Sequence, residues 1–266
     1  MANDRGAFIW YELMTGDAAG AKAFYDTLLG WDIQRHGDPA PGGTQYRMIM
    51  RSDGKPEGGV LELTPDMIAH GARPCWLGYV CVPDVDATVK AIEESGGMAH
   101  MPATDLPGVG RFAMVADPWG ASFYVMTPEP APGKADVQSD VFSASRPQCC
   151  SWNELAATDA QAALDLYTGL FGWSRPEPMD MGEMGLYHFI AHDGETIGAV
   201  FTKPAEMPAS GWNHYFRVPS IPLAAEAIKA GGGQVLMGPH EVPGGDYIVL
   251  GMDPQGASFA LVGKGE

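Results

Sequence analysis

The sequence predicts an α+β protein made of four β-α-β-β-β modules arranged as two tandem copies. Three observations predict it. Trp10, Glu12, Leu13, Asp17, Tyr25, Leu28, Gly30 and Trp31 recur 142 residues later as Trp152, Glu154, Leu155, Asp159, Tyr167, Leu170, Gly172 and Trp173. At a spacing of 136, Trp76, Tyr79, Val82, Pro83, Ile92, Gly96 and Gly97 recur as Trp212, Tyr215, Val218, Pro219, Ile228, Gly232 and Gly233. Inside each copy a strand-then-helix pattern starts twice. Duplication of a whole domain accounts for all three, and repeats of this kind outrank local signals in deciding a fold.

Residues 7–14 alternate between apolar and polar positions, as a half-buried strand does. Asp17 stands where a helix N-cap belongs, since its carboxylate can accept from first-turn amides. Ala21, Phe24, Tyr25, Leu28 and Leu29 follow at helical spacing, and Gly30 ends the run. Strands are expected around 46–50 and 59–63, with turns at Pro41-Gly42-Gly43 and Asp53-Gly54. The pattern restarts with a strand over 76–82. Val85, Val89 and Ile92 mark a helix face that Gly96-Gly97 closes, and strands near 110–115 and 121–126 finish the copy. The second copy repeats this order, with helices near 160–171 and 222–230. The turn Asp117-Pro118-x-Gly120 recurs as Asp253-Pro254-x-Gly256 and reads as a turn without chemistry of its own. The stretch 128–148 is rich in Pro, Ala, Ser and Asp and reads as a linker. The expected domains are therefore 1–127 and 149–266, joined by 128–148.

Composition narrows the function classes. Hydrophobic residues make up 45% of the 266-residue chain, enough for packed cores rather than disorder. The formal net charge of −17 repels phosphate backbones and anionic lipid, which disfavours nucleic-acid and membrane-surface partners. Cys75, Cys81, Cys149 and Cys150 form no C-x-x-C pair and read as reduced, buried thiols. The first residues lack the basic start and apolar run of a signal peptide, so a cytoplasmic location is expected. No glycine pattern marks a phosphate loop, and no Ser-His-Asp or Cys-His order stands out.

Several motifs together carry a resemblance. They are Phe24-Tyr25…Leu29-Gly30-Trp31, the step Val82-Pro83-Asp84-Val85-Asp86 and the Asp-Pro-x-Gly turn before a last strand. Tyr167…Phe171-Gly172-Trp173 and Asp253-Pro254-Gln255-Gly256 repeat them in the second copy. With these the chain resembles the vicinal oxygen chelate superfamily, which includes glyoxalase I, extradiol dioxygenases and bleomycin-resistance proteins. The Trp-x-Glu-Leu start looks like a tandem two-domain, glyoxalase-like subgroup. The resemblance implies two cup-shaped domains with mixed, mainly antiparallel curved sheets, and a ligand or metal on each concave face. In catalytic members four strand positions per cup supply His, Gln or Glu to a divalent metal that acts as a Lewis acid.

Carried over one position at a time, those places fall on Trp10, Glu62, Leu77 and Tyr124, and on Trp152, Thr202, Asn213 and Ala260. Only Glu62 among them is a ready ligand, so no metal site is expected, although a divalent metal stays open. His188 and His192 share a strand with even spacing; alternation turns His214 towards the helix side. The same alternation puts Phe8, Trp10 and Glu12 on the concave face, with Leu77, Tyr79, Cys81, Ser122, Tyr124 and Met126. In the second copy it puts Trp152, Glu154, Asn213, Tyr215, Arg217 and Ser258 there.

The expected ligand-binding residues are accordingly Trp10, Tyr79, Tyr124, Trp152, Asn213, Tyr215 and Arg217. Glu12 and Glu154 carry two readings. Each is an anchor or general base for a ligand, or a structural carboxylate bonded to Tyr79 or to a backbone amide. Arg217 either clamps an anionic ligand or pairs with Glu154. The functional expectation is binding of a small organic molecule in an aromatic cup, by a monomer or homodimer. The alternative is a glyoxalase-like lyase or isomerase, or an oxygenase or hydroxylase, dependent on a metal or on Glu12 and Glu154.

Overall fold

The computed structural model describes residues 3–130 and 137–266. The first module runs β1 (Phe8–Thr15), α1 (Ala18–Leu29), the short β2 (Asp32–Ile33) and β3 (Asp38–Ala40), then β4 (Thr44–Met50) and β5 (Pro56–Glu62). A single-turn helix, α2 (Pro65–Ala69), leads to the second module: β6 (Cys75–Cys81), α3 (Val85–Glu94), β7 (Met98–Leu106), β8 (Gly110–Ala116) and β9 (Ser122–Pro128). The third contains β10 (Cys150–Ala157), α4 (Ala160–Phe171), β11 (Met179–Asp180), β12 (Leu186–His192) and β13 (Glu195–Thr202). The fourth contains β14 (Gly211–Ser220), α5 (Ile221–Ala230), β15 (Gln234–Glu241), β16 (Tyr247–Met252) and β17 (Ser258–Lys264).

The strands form two mixed sheets. The first copy supplies the order β2-β4-β5-β1-β6-β9-β8-β7, with β3 paired to β4. The second supplies β11-β12-β13-β10-β14-β17-β16-β15. Both sheets stay open, with two edges each. In every module the first strand runs parallel to the last, as β1 does to β5 and β14 to β17, while hairpin neighbours run antiparallel. The parallel step is what each helix makes, because a return in the same direction needs a crossover. No helix among the described residues is long and apolar enough to cross a membrane.

The helix ends follow the expected chemistry. Asp17 accepts from the Gly20 amide at 2.9 Å and Asp159 from the Ala162 amide at 3.0 Å. Gly30 and Gly172 close α1 and α4 in the left-handed region, at φ 69° and 73°, where a Cβ would be strained.

Packing divides the chain differently from the repeat. One compact unit comprises Met1–Ile9, Gly78–Asp140 and Trp152–Asn213; the other comprises Trp10–Leu77, Val141–Ser151 and His214–Glu266. Each unit therefore draws modules from both copies. In the second unit the Tyr25 hydroxyl of α1 donates to Asp253 Oδ2 at 3.0 Å and accepts from Trp76 Nε1 at 3.0 Å. Asp253 Oδ1 meanwhile takes the amides of Gln255 and Ala257. Trp31, Phe216 and Phe259 pack around this network. Phe24 lies so close to the end of α5 that a Cβ on Gly231 would sit 2.8 Å from its ring and force the ring to move.

The first unit repeats the arrangement. The Tyr167 hydroxyl donates to Asp117 Oδ2 at 3.1 Å and accepts from Trp212 Nε1 at 3.2 Å, among Phe123, Phe171 and Trp173. The Asp-Pro-x-Gly turns thus do more than reverse the chain. Their aspartates seat the tyrosine of the other copy's first helix, and both carboxyls are held above the usual range by burial.

Part of the expected linker lies in residues 131–136, outside the described residues. Its later part docks on the second unit. The Gln148 side chain accepts from the Ser52 amide at 2.9 Å and donates to the Leu29 and Gly30 carbonyls. Beneath it the buried Arg51 and Glu57 pair at 2.9 Å, and Glu57 Oε1 takes the Cys150 amide at 3.0 Å.

Candidate functional site

Two side-chain triads, one in each copy, are built from the same positions. On β1, Glu12 pairs with Gly59 of β5, and on β4 Met48 pairs with Gly59 and Tyr46 with Leu61. Paired residues project to the same side of a sheet, so Trp10, Glu12, Tyr46, Met48 and Leu61 share one face. There Trp10 Nε1 donates to the Tyr46 hydroxyl at 2.7 Å, and that hydroxyl is hydrogen-bonded to Glu12. Burial first, then the Glu12 charge, pushes the Tyr46 phenol well above its ordinary range, so it stays a neutral donor. Glu12 itself is only 2% exposed.

In the second copy Glu154 pairs with Ala199, Phe189 with Ala199, and Tyr187 with Phe201. Trp152 Nε1 donates to the Tyr187 hydroxyl at 2.9 Å, which donates to Glu154 Oε2 at 2.7 Å. Burial and the Glu154 charge again raise the phenol. Here the carboxylate is half-buried rather than enclosed. The rings of Trp152 and Phe189 lie 6.0 Å apart, those of Tyr187 and Phe189 5.6 Å, and those of Tyr187 and Phe201 5.9 Å.

The remaining expected residues sit on the other module of each sheet. Tyr79 of β6 and Tyr124 of β9 are register partners and stack at 4.1 Å with planes 11° apart; Phe112 leans on both. On β14, Tyr215 is buried, and Asn213 and Arg217 are half-buried. Arg217 does not pair with Glu154. Its guanidinium is held by Asp246 at 2.8 Å and by Ser151 Oγ at 3.2 Å, with Lys264 on the same aspartate at 2.6 Å. A pair with two cations holds the Asp246 carboxyl below its usual range, against the opposing effect of burial.

Two expectations about the metal positions need correction. Glu62 pairs with Thr15 and so belongs to the Tyr11 and Leu13 side of the sheet, where its carboxylate lies 3.7 Å from Arg47. Thr202 likewise pairs with Ala157, off the Trp152 and Glu154 face. The residues that do share the triad faces at this strand end are Leu61 and Phe201. A one-residue slip in reading β5 and β13 reverses the face, because side chains alternate with a period of two.

The donor chemistry of these positions does not fit a divalent ion. Indole, phenyl, leucine and alanine side chains supply no donor at most of the positions where the family's ligands would converge, Tyr124 and Asn213 add only a phenol and an amide, and each triad offers one carboxylate beside one phenol. Among the described residues no group of three or more His, Cys, Asp or Glu side chains is placed to hold a metal. His188 pairs with Val200 on the far side from Glu154, and His192 Nε2 lies 2.9 Å from the Arg5 carbonyl. His214 is buried against Tyr11, as alternation implies, with ring centroids 5.0 Å apart.

Tyr46, Tyr187, Phe189 and Phe201 were not singled out from the sequence. Tyr46 and Tyr187 are 141 residues apart, one fewer than the spacing that matches the helices before them, so a fixed offset misses them. Allowing the offset to slip in the loop after Trp31 recovers both, together with Met48 and Phe189. A depression of about 510 Å³ lined by Leu28, Arg51, Asp53, Arg146 and Gln148 shares no residue with these faces.

Comparison with known proteins agrees with this arrangement. The putative glyoxylase CFP32 of Mycobacterium tuberculosis is 29% identical over 254 residues, covering 95% of this chain and 93% of the relative. The anthracycline biosynthesis protein DnrV of Streptomyces peucetius is 30% identical over 272 residues, covering 97% and 93%. Among solved structures, the Mn(II)-bound glyoxalase from Novosphingobium aromaticivorans superposes with a TM-score of 0.62 at 16% identity, over 98% of this chain and 83% of that one. An extradiol ring-cleaving dioxygenase from B. fuscum gives 0.64 at 16% identity, over 100% and 73%. At such identities these two show a shared fold and nothing further. A family model described as the Glyoxalase/Bleomycin resistance protein/Dioxygenase superfamily matches residues 7–125 and again residues 150–261. Two tandem matches over almost the whole chain, with the module order and open mixed sheets described above, make this protein a member of that superfamily.

Proposed function

We propose that this protein binds a small organic molecule against the aromatic, carboxylate-bearing faces of its sheets, without the divalent ion that catalytic relatives use. The observation that carries this reading is the Trp-Tyr-Glu triad, built twice on the strands where a chelating set would be required. Rings with a few aimed polar groups suit a flat apolar ligand better than an ion. Relatives named for anthracycline biosynthesis lend support, because their name points to ring-bearing molecules.

Two measurements test it. Elemental analysis of freshly purified protein is expected to find no stoichiometric divalent metal, and one ion per copy would sink the metal-free part. Titration with planar aromatic probes is expected to quench tryptophan fluorescence and raise the melting temperature. A broad aromatic set that shifts neither signal would remove the binding reading.

A second reading is favoured by one feature, the half-buried position of Glu154 with one oxygen fixed by Tyr187. A carboxylate so placed can accept a proton from a bound substrate. In that case Glu154→Gln abolishes turnover of whatever substrate a screen identifies, while leaving its binding nearly intact.

A further inference from the structure

The two triads differ in a way that bears on which ligand they suit. In the first copy the neighbours across the strands are Met48 and Leu61, and Glu12 is 2% exposed. In the second copy the matching neighbours are Phe189 and Phe201, and Glu154 is half-buried. Trp152, Tyr187, Phe189 and Phe201 are all half-buried. The second copy thus sets a half-buried glutamate among four aromatic rings.

Resting on the binding reading above, we propose that this second triad recognises an organic cation, a protonated or quaternary amine carried on an apolar or aromatic body. Three observations converge on it. The faces of aromatic rings carry the negative end of a quadrupole and attract ammonium groups, most strongly where several rings meet. The charge that balances such a group is already in place, because Tyr187 holds Glu154 Oε2 at 2.7 Å. The donors are turned inward: the indole N–H of Trp152 goes to Tyr187, and the Tyr187 O–H goes to Glu154. Aromatic rings and a carboxylate side by side favour a cation over an anion. A chain of net charge −17 adds a long-range pull of the same sign. The first copy, with thioether and leucine in place of two rings and its carboxylate enclosed, lacks this arrangement.

The test is isothermal titration of the full chain with two probes of similar size, benzyltrimethylammonium and neutral benzyl alcohol. The ammonium probe is expected to bind at least about tenfold more tightly than the alcohol, the margin a desolvated cation–π contact provides. Glu154→Gln is expected to weaken the ammonium probe by about tenfold or more, as loss of a charged partner does. Phe189→Leu, which keeps the carboxylate and most of the apolar volume, should weaken the ammonium probe several-fold and leave the alcohol nearly unchanged. A melting curve confirms that each variant is folded, and the leucine variant carries the test if the glutamine variant is not. Equal or tighter binding of the alcohol overturns the cation proposal and leaves the aromatic reading standing. If neither probe binds while a neutral planar aromatic does, the cation proposal also falls alone. If no aromatic of any charge binds, both fall together.

Discussion

Single buried side chains set how this protein responds to pH and to thiol reagents. Burial lowers the His214 imidazole from 6.5 to about 3. The folded state then holds fewer protons than the unfolded one between those values, so stability is full above about pH 6.5 and declines as pH falls towards 3. At pH 4.5 the two lost units correspond to about 3 kcal/mol. Asp117 and Asp253, raised by burial, act in the opposite sense just above their ordinary range. We expect urea melts of His214→Asn to show a flatter dependence between pH 6.5 and 4.5 than the parent; parallel curves would remove the assignment. Burial likewise pushes Cys75 up to about 12 and Cys149 up to about 11, with Glu12 and Glu57 adding to the respective shifts. At pH 7.5 the thiolate fraction is then below about one in a thousand. Iodoacetamide is expected to leave both unmodified in native protein and to alkylate both in urea, as read by mass spectrometry.

Among elements, helices were legible from sequence and edge strands were not. The spacing and caps that predict α1, α3, α4 and α5 match the observed Ala18–Leu29, Val85–Glu94, Ala160–Phe171 and Ile221–Ala230. β7 and β15 escaped notice because each is the last strand of its sheet and both faces are largely exposed, so no apolar alternation marks them. Pro102 and Pro239 lie inside them, which only an edge tolerates. The cap prediction belongs to this scale. Asp159→Ala removes an amide acceptor at the start of α4, and denaturant melts are expected to show a loss of about 1 kcal/mol. Replacement by Ser, which can accept the same hydrogen bond, should recover most of it.

For the molecule as a whole, the sequence repeat and the packing units divide the chain differently. Tyr25 reaches Asp253, and Tyr167 reaches Asp117, so each aromatic core is completed by the other copy. A half-chain ending near residue 127 would leave the Tyr25 hydroxyl without its Asp253 acceptor and the Phe24 ring without Phe259. We expect residues 1–127 expressed alone to lack sharp near-ultraviolet dichroism or to self-associate. Mixing with residues 128–266 should restore a cooperative melt. A stable, monomeric first half with native-like dichroism would show that the cross-copy networks are dispensable.

The sequence alone determined the duplication, the four-module order, the helix limits and the placing of Trp10, Glu12, Trp152 and Glu154 on common faces. All of these depend on local periodicity and on spacing along the chain. Tertiary structure alone decided that Glu62 belongs with Arg47, that Arg217 belongs with Asp246, and that Tyr46 and Tyr187 complete the triads. It also decided that the repeated aspartates bind tyrosines of the opposite copy. The reason is physical. A strand shifted by one residue presents the opposite set of side chains, and nothing in its own composition reports the shift. Partners more than 200 residues apart, such as Tyr25 and Asp253, leave no trace in any local pattern. They meet only when the modules pack.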